Sequence, residues 1–235
     1  MTAWHLAWLT ALRRRRLFAW NVAVPLLLLT PVALSPAAAP HRVVVYGVFL
    51  VFFGAFGSAI PTVRDARGGW LEEMFAAGLG PRRWLLESAA ASVLIDTWQL
   101  APAALMLLAA TGSINASMHV LAALMAALLM AGILGAAIAA TVRSLAEAAL
   151  ASAAVSLGLI HLAGFFRPPR QGWDTLAADW SPYRPLKEAL THGAGGPAPD
   201  LGDWLRPALT LASVVALAVL TANRWSRRLR WPANS

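Results

Sequence analysis

The sequence predicts an all-helical integral membrane protein with six transmembrane helices. Hydrophobic residues make up 59% of the 235 residues and charged residues 13%, about half of their share in an average soluble domain. The apolar residues fall into six blocks of roughly 17 to 25 residues, the length that crosses about 30 Å of hydrocarbon as a helix. Because mostly short polar links separate these blocks, we expect one membrane domain over residues 1–235.

The first predicted element is an interfacial helix over residues 2–16. Trp4, Trp8 and Leu12 recur every four residues and therefore share one helical face, and the run Arg13–Arg16 follows. An aromatic face beside a basic end is typical of a helix that lies among lipid headgroups. The alternative is that this segment is only the frayed start of the first span.

Six spans follow in order. Proline within the first span, at Pro25 and Pro31, predicts a kink that a membrane helix tolerates. The second span carries Gly54, Gly57 and Ser58, small residues whose spacing allows a neighbouring helix to approach closely. The predicted spans cover residues 18–34, 43–61, 88–110, 118–141, 148–166 and 205–222.

The distribution of basic residues predicts the orientation. Six spans place both termini on one side, and 13 of the 19 lysines and arginines, Arg230 among them, lie on that side. By the positive-inside rule, both termini and the link between the second and third spans face the cytoplasm of a cell inner (plasma) membrane. The net charge of +8 is thereby explained by membrane orientation, and we expect no nucleic-acid partner.

The polar link of residues 62–87 is the candidate functional element. After Gly68 and Gly69, the stretch Trp70–Ala77 predicts two helical turns, with Glu72 and Glu73 in the first turn, where acids favour the helix dipole.

Three apolar residues of this stretch, Trp70, Met74 and Ala77, share one face. Gly78 suits the end of the helix and Pro81 the start of the next one. Such a short amphipathic helix could fill a groove on a partner, or it could be an ordinary cytoplasmic link with interfacial tryptophans.

The same stretch resembles the signature region of the permease subunits of ATP-binding-cassette transporters of type 2, the exporter-like class. Arg64-Asp65 resembles the charged pair that precedes this region in the family. The chain departs from the family pattern at Ala77-Gly78 and at Glu87-Ser88. The residues that match the pattern are Gly69, Leu71, Glu72, Met74, Phe75, Leu79, Pro81, Leu85 and Leu86.

The resemblance implies that the link is a coupling helix seated on a separate ATPase subunit. It implies ABC ATPase subunits as partners, a second copy of the chain or a homologous permease, and membrane lipids. ATP would be bound by the partner subunit, so we expect no cofactor, metal or catalytic residue in this chain. The implied docking residues are Arg64, Asp65, Gly69, Trp70, Leu71, Glu72, Glu73, Met74 and Phe75.

The long segment of residues 167–204 lies on the other side of the membrane. Its tryptophans suit the membrane interface, and its prolines and glycines favour re-entrant turns. The string Trp180–Ala189 resembles the family stretch that introduces short outer helices, which implies an outer gate. The alternative is a solvated loop held by aromatic anchors.

Three polar residues within the spans are candidates for the translocation pathway: Asp96, Gln99 and His161. An acid inside a membrane is costly and usually faces a bundle interior or a pathway. Asp96 lies about two turns from the cytoplasmic end of the predicted third span, so it could instead sit near the interface. A lone histidine such as His161 is more often a packed residue than a ligand.

The sequence disfavours an enzyme. It has no cysteine, no phosphate-binding G-x-x-x-x-G-K-[ST] loop and no cluster of histidines and acids at metal-ligand spacing. Ser58 and His161 only weakly suggest an intramembrane protease, because helix packing also selects a serine among glycines.

These observations and the resemblance predict the membrane subunit of an ATP-driven exporter that works as a dimer. The cargo would be lipid-like or amphipathic, since the spans are almost uniformly Ala, Leu and Val. Two alternatives remain: a haem- or cytochrome-maturation type of ABC permease, and a non-transporting scaffold that recruits an ATPase.

Overall fold

The computed structural model describes residues 2–170 and 172–229, and this part of the chain contains helices and no strands. Arg230, which the charge count includes, lies outside it. A 3-10 turn, Ile114–Ala116, precedes the sixth α-helix. The α-helices are α1 Ala3–Arg13, α2 Arg15–Leu34, α3 Ala39–Arg67, α4 Trp70–Ala76, α5 Pro81–Thr111, α6 Ser117–Ala139, α7 Leu145–Leu162, α8 Trp173–Trp180, α9 Arg184–Gly193 and α10 Leu201–Leu229.

Six of these helices, α2, α3, α5, α6, α7 and α10, are long and apolar enough to cross a membrane. The predicted fold class is therefore confirmed. Because the six helices alternate in direction, α1, α4 and the end of α10 lie on one face of the bundle, which we call the terminal face. The helices α8 and α9 lie on the opposite face.

The second and third spans are longer than predicted. Helix α3 continues through Pro61 to Arg67 and ends at the pair Gly68 and Gly69. Helix α5 begins at Pro81, whose fixed φ suits a first helical position. Residues 62–87 are therefore mostly helical rather than a loop, and their polar side chains belong largely to the last turns of α3 and the first turns of α5.

Helix α1 is a separate element, as predicted, and not the frayed start of the first span. It ends at Arg13, and α2 begins at Arg15. The Trp4 and Trp8 rings lie 6.2 Å apart, and the Trp4 backbone N–H donates to Glu87 Oε2 of α5 at 3.4 Å. An acid at the start of α1 meets the positive end of its dipole, so Glu87 fastens α1 to α5.

Helix α6 forms the centre of the bundle and packs most closely against α3. A Cβ on Gly54 of α3 would lie 2.6 Å from Leu128 Cδ2, and one on Gly135 of α6 would lie 2.0 Å from Ser58 Oγ. The Ser58 hydroxyl lies 3.0 Å from the Ala131 carbonyl oxygen across the interface. The predicted close approach at Gly54 and Ser58 is present.

Three of the membrane helices lie at the periphery. In helices α2, α7 and α10, less than a quarter of the apolar span is buried. Several helices continue through internal prolines, including α2 through Pro25 and α3 through Pro61. The exposed large side chains of α2, α7 and α10 include Trp20, Leu27, Leu28, Leu150, Leu157, Leu217 and Leu220.

On the opposite face, α9 is held by apolar packing and by an ion-pair network. Leu186 and Leu190 are buried in the core, while Arg184 pairs with Asp179 and with Glu188. Burial acts to lower the pKa of Arg184, but the neighbouring carboxylates outweigh it and raise that pKa. Burial raises the pKa of Glu188. Two short helices, α8 and α9, thus precede the last span on this face, while their predicted re-entry into the membrane stays a prediction.

Candidate functional site

Glycines in left-handed backbone conformation bound helix α4 on both sides. Gly69 precedes it with φ at +76°, in the left-handed region that favours glycine. At its end, the Gly78 N–H donates to the Phe75 carbonyl at 3.2 Å and the Leu79 N–H to the Met74 carbonyl at 3.1 Å. This pair of bonds is a Schellman motif, and it needs Gly78 at φ +91°. The predicted helix and its glycine end are therefore present.

The face that α4 buries against the bundle is not the apolar face of Trp70, Met74 and Ala77. Leu71 is 2% exposed and Phe75 is buried, with its ring edge-on to Trp84 of α5 at 5.9 Å. Trp70 is 53% exposed and Ala77 also faces outward. The sequence did not predict which face is buried, because most positions of this short helix are apolar and two faces fit the periodicity. The contact with Trp84 decides between them.

The outward surface of α4 is both aromatic and acidic. Glu72 and Glu73 are exposed, and neither makes an ion pair with another described residue. Trp70 projects beside them, and Arg64 lies on the last turns of α3 with its Nε 3.4 Å from Asp65 Oδ1. Since Leu71 and Phe75 hold the bundle-facing side of α4 in place, its outward surface is that of an anchored helix.

The predicted docking residues therefore divide into two groups. Leu71 and Phe75 are buried and Met74 is half-buried, so these three hold the helix against the bundle. The exposed group is Arg64, Trp70, Glu72 and Glu73, with Asp65 and Gly69 half-exposed beside it.

A cavity of about 700 Å³ opens beside α4 and continues into the bundle. Its lining along α3 runs from Asp65 to Phe49, a distance of about 24 Å at the α-helical rise. Helices α1 to α6 all contribute to its wall, and α3 and α5 form its two long sides. A volume of this size falls in the range of small-molecule binding sites.

Asp96 and Gln99 both line this cavity, so the structure brings two of the three pathway candidates together. Because α5 begins at Pro81, Asp96 is about four turns from the end of the helix rather than the predicted two. It therefore sits at the middle of α5.

The side chain of Asp96 faces a glycine across the cavity. A Cβ on Gly57 of α3 would lie 3.6 Å from Asp96 Oδ2, so glycine leaves the space in front of this carboxyl group open. Asp96 makes no hydrogen bond or ion pair with any other residue that the structure describes. Gln99, one turn on, is 4% exposed.

His161 does not join these two residues. It lies near the end of α7 towards the opposite face, is exposed, and stacks on Phe166 at 6.2 Å. Ser58 packs between α3 and α6 and lies far along the bundle from His161, so the weak protease pairing is not formed. Among the described residues, no group of three or more histidines and acids could hold a metal ion.

One wall of the cavity is aromatic, which was not predicted from the sequence. Phe49, Phe52, Phe53 and Phe56 of α3 all line it, and the Phe52 and Phe56 rings lie 5.7 Å apart. Their spacing of three and four residues places them on one side of a helix, so the same periodicity test that was applied to α4 could have found them.

Comparison with known families gives a match over most of the chain. The family model described as ABC-2 type transporter matches residues 1–193, which contain α1 to α9. No curated protein matches the chain with significant similarity.

Proposed function

Because this chain belongs to the ABC-2 type transporter family, we propose that it is the membrane subunit of an ABC exporter, driven by a separate ATPase that docks on α4. The family is one of transporter permeases, so the chain is a transmembrane transporter component. The export direction, the docking residues and the lipid-like or amphipathic cargo are what we add to that.

The observation that carries the proposal is the outward surface of α4. Trp70, Glu72 and Glu73 form an exposed aromatic and acidic patch on a helix that is anchored from behind. Exposed tryptophans are enriched at protein interfaces, and acids give an interface its electrostatic selectivity. A partner with a basic, apolar groove would fit this surface.

The connections of α4 suggest how force would reach the transport pathway. Only Gly68 and Gly69 separate it from α3, and only residues 77–80 separate it from α5. These two helices form the long sides of the cavity. A rigid displacement of α4 by the ATPase would therefore move both walls together, without a catalytic residue in this chain.

The proposed assembly pairs two copies of this chain, or this chain and a homologous permease, in the inner membrane with the terminal face towards the cytoplasm. The exposed apolar sides of α2, α7 and α10 supply surface for both lipid and a second permease.

The test is a charge reversal on α4. We expect the double variant Glu72→Lys, Glu73→Lys to lose the co-purifying ATPase and its ATP turnover when the tagged protein is isolated from its native host. Membrane insertion should be unchanged, because both side chains are exposed. The matched control is Asp200→Lys, an exposed acid on the opposite face.

Normal ATPase recovery and normal substrate-stimulated ATP turnover in the double variant would overturn the docking proposal. An intact complex whose ATP turnover never responds to any substrate would favour the scaffold alternative. Dependence of cytochrome maturation on the complex would favour the haem-maturation alternative.

A further inference from the structure

We propose that the cavity between α3 and α5 binds a hydrophobic organic cation, with Asp96 as its countercharge. This inference deepens the proposed function. It rests on that function only where it takes the bound cation to be the cargo.

The first support is the isolation of Asp96. It lies at the middle of a membrane-spanning helix, lines the cavity, and has no donor or cation among the described residues. A carboxylate in such surroundings is costly unless a cation or a set of donors compensates it. A positively charged guest would supply the compensating charge that no described residue provides to Asp96.

The second support is the aromatic wall. Phe49, Phe52, Phe53 and Phe56 line the cavity along α3. Aromatic faces attract cations as well as apolar groups, so this wall and Asp96 favour the same kind of guest: a large apolar molecule with one positive charge.

The charges at the cavity mouth could suggest the opposite guest, an anion. Arg14 and Arg64 line the mouth. However, Arg64 is paired with Asp65, and both arginines are exposed to solvent, where ions screen them. Asp96 is therefore the unpaired ionisable residue of the cavity that lies away from the mouth, and the observations favour a cation.

Access to Asp96 depends on Gly57. The Cβ of a residue larger than glycine would sit against the carboxyl group at 3.6 Å, and further side-chain atoms would cover it. This gives a second variant, Gly57→Val, that should weaken cation binding without removing any charge.

The experiment uses the purified full chain in lipid nanodiscs and two probes of the same shape and opposite charge, tetraphenylphosphonium and tetraphenylborate. Binding is measured by equilibrium dialysis against empty nanodiscs. We expect the wild-type protein to bind the phosphonium at least about tenfold more tightly than the borate, because charge pairs in low-dielectric surroundings are strong.

The variant Asp96→Asn should lose most of this preference, and Asp96→Glu should keep it. Gly57→Val should weaken phosphonium binding while the melting temperature confirms a folded protein. The control Asp200→Asn makes the same chemical change on the opposite face and should leave binding within about twofold. Equal or tighter binding of the borate, or unchanged phosphonium binding in Asp96→Asn, would overturn the inference.

Failure here is separable from failure of the proposed function, because the binding assay needs no ATPase. Selective phosphonium binding with no ATPase association would refute the exporter proposal alone. Normal ATPase association with no selective binding would refute the cation inference alone.

Discussion

At the scale of single residues, glycines set the distance between the central helices. We expect Gly135→Ala to destabilise the protein by about 1–3 kcal/mol, the usual cost of overpacking, because its Cβ would lie 2.0 Å from Ser58 Oγ and 2.8 Å from the Ala59 backbone nitrogen. The measurement is the melting temperature in detergent.

The matched control is Gly158→Ala in α7, where a Cβ would meet nothing within 4 Å. Alanine is the better helix former, so this variant should melt at the same temperature or higher. Equal melting temperatures for Gly135→Ala and the wild type would show that α3 and α6 can move apart at little cost.

Glu87, which departs from the family pattern, makes a specific contact in this chain. Its side chain accepts from the Trp4 backbone N–H and pairs with Arg83 Nε at 2.6 Å. From the sequence alone, Glu87 could be recognised only as a departure from the family pattern. Its role could not be read from the chain, because the contact joins residues 83 positions apart.

At the scale of elements, the short connections of α4 lead to a prediction about coupling. Inserting two glycines after Gly69 should leave ATPase binding intact, since the outward surface of α4 is untouched, but should disconnect α4 from α3. We expect the ATP-dependent change in the distance between the two cavity walls to disappear. Spin labels on Thr62→Cys in α3 and Ser92→Cys in α5 would measure it.

The control for that experiment is the same insertion after Ala198 in the exposed link before α10. It should leave the nucleotide-dependent distance change as it is in the labelled parent protein. If the insertion after Gly69 also leaves it unchanged, α4 does not transmit movement through α3.

The elements themselves were largely predictable, and their ends were not. Hydropathy locates the apolar blocks but says nothing of where helical backbone stops, so the predicted second and third spans stopped short of Arg67 and Pro81. The breakers Gly68, Gly69 and Gly78 did mark α4 correctly. Its buried face was beyond the sequence, because Leu71 and Phe75 fit the periodicity as well as the predicted residues did.

The candidate cavity is a product of tertiary structure. Asp96 and Gln99 were identifiable as polar residues in an apolar helix, and periodicity could also have found the four phenylalanines of α3. That these six residues face one space depends on how far α3 and α5 stand apart, which no local pattern encodes.

At the scale of the whole molecule, the distribution of basic residues predicts which face meets the cytoplasm. The chain contains no cysteine, so in a single-cysteine variant all maleimide labelling comes from the introduced residue. In intact cells, a membrane-impermeant maleimide should label Ala198→Cys on the opposite face and should not label Ala146→Cys at the start of α7. Both positions are exposed.

Permeabilising the cells should make Ala146→Cys reactive, which serves as the control for its accessibility. Labelling of Ala146→Cys but not Ala198→Cys in intact cells would invert the orientation and place α4 outside, where no ATPase could reach it.

The prolines of α2 and α3 have a consequence for the hydration of the cavity. Proline has no N–H, so Pro25 and Pro61 leave the carbonyl groups four residues earlier, those of Asn21 and Gly57, without their usual helical donor. Both residues line the cavity. Water is the natural donor to such groups in a polar space of this size, and a guest that fills the cavity would displace it. A protonated amine can replace the lost hydrogen bonds with its own N–H groups. A guest without donors would leave each carbonyl group without a hydrogen bond, at a free-energy cost of about 1–3 kcal/mol each.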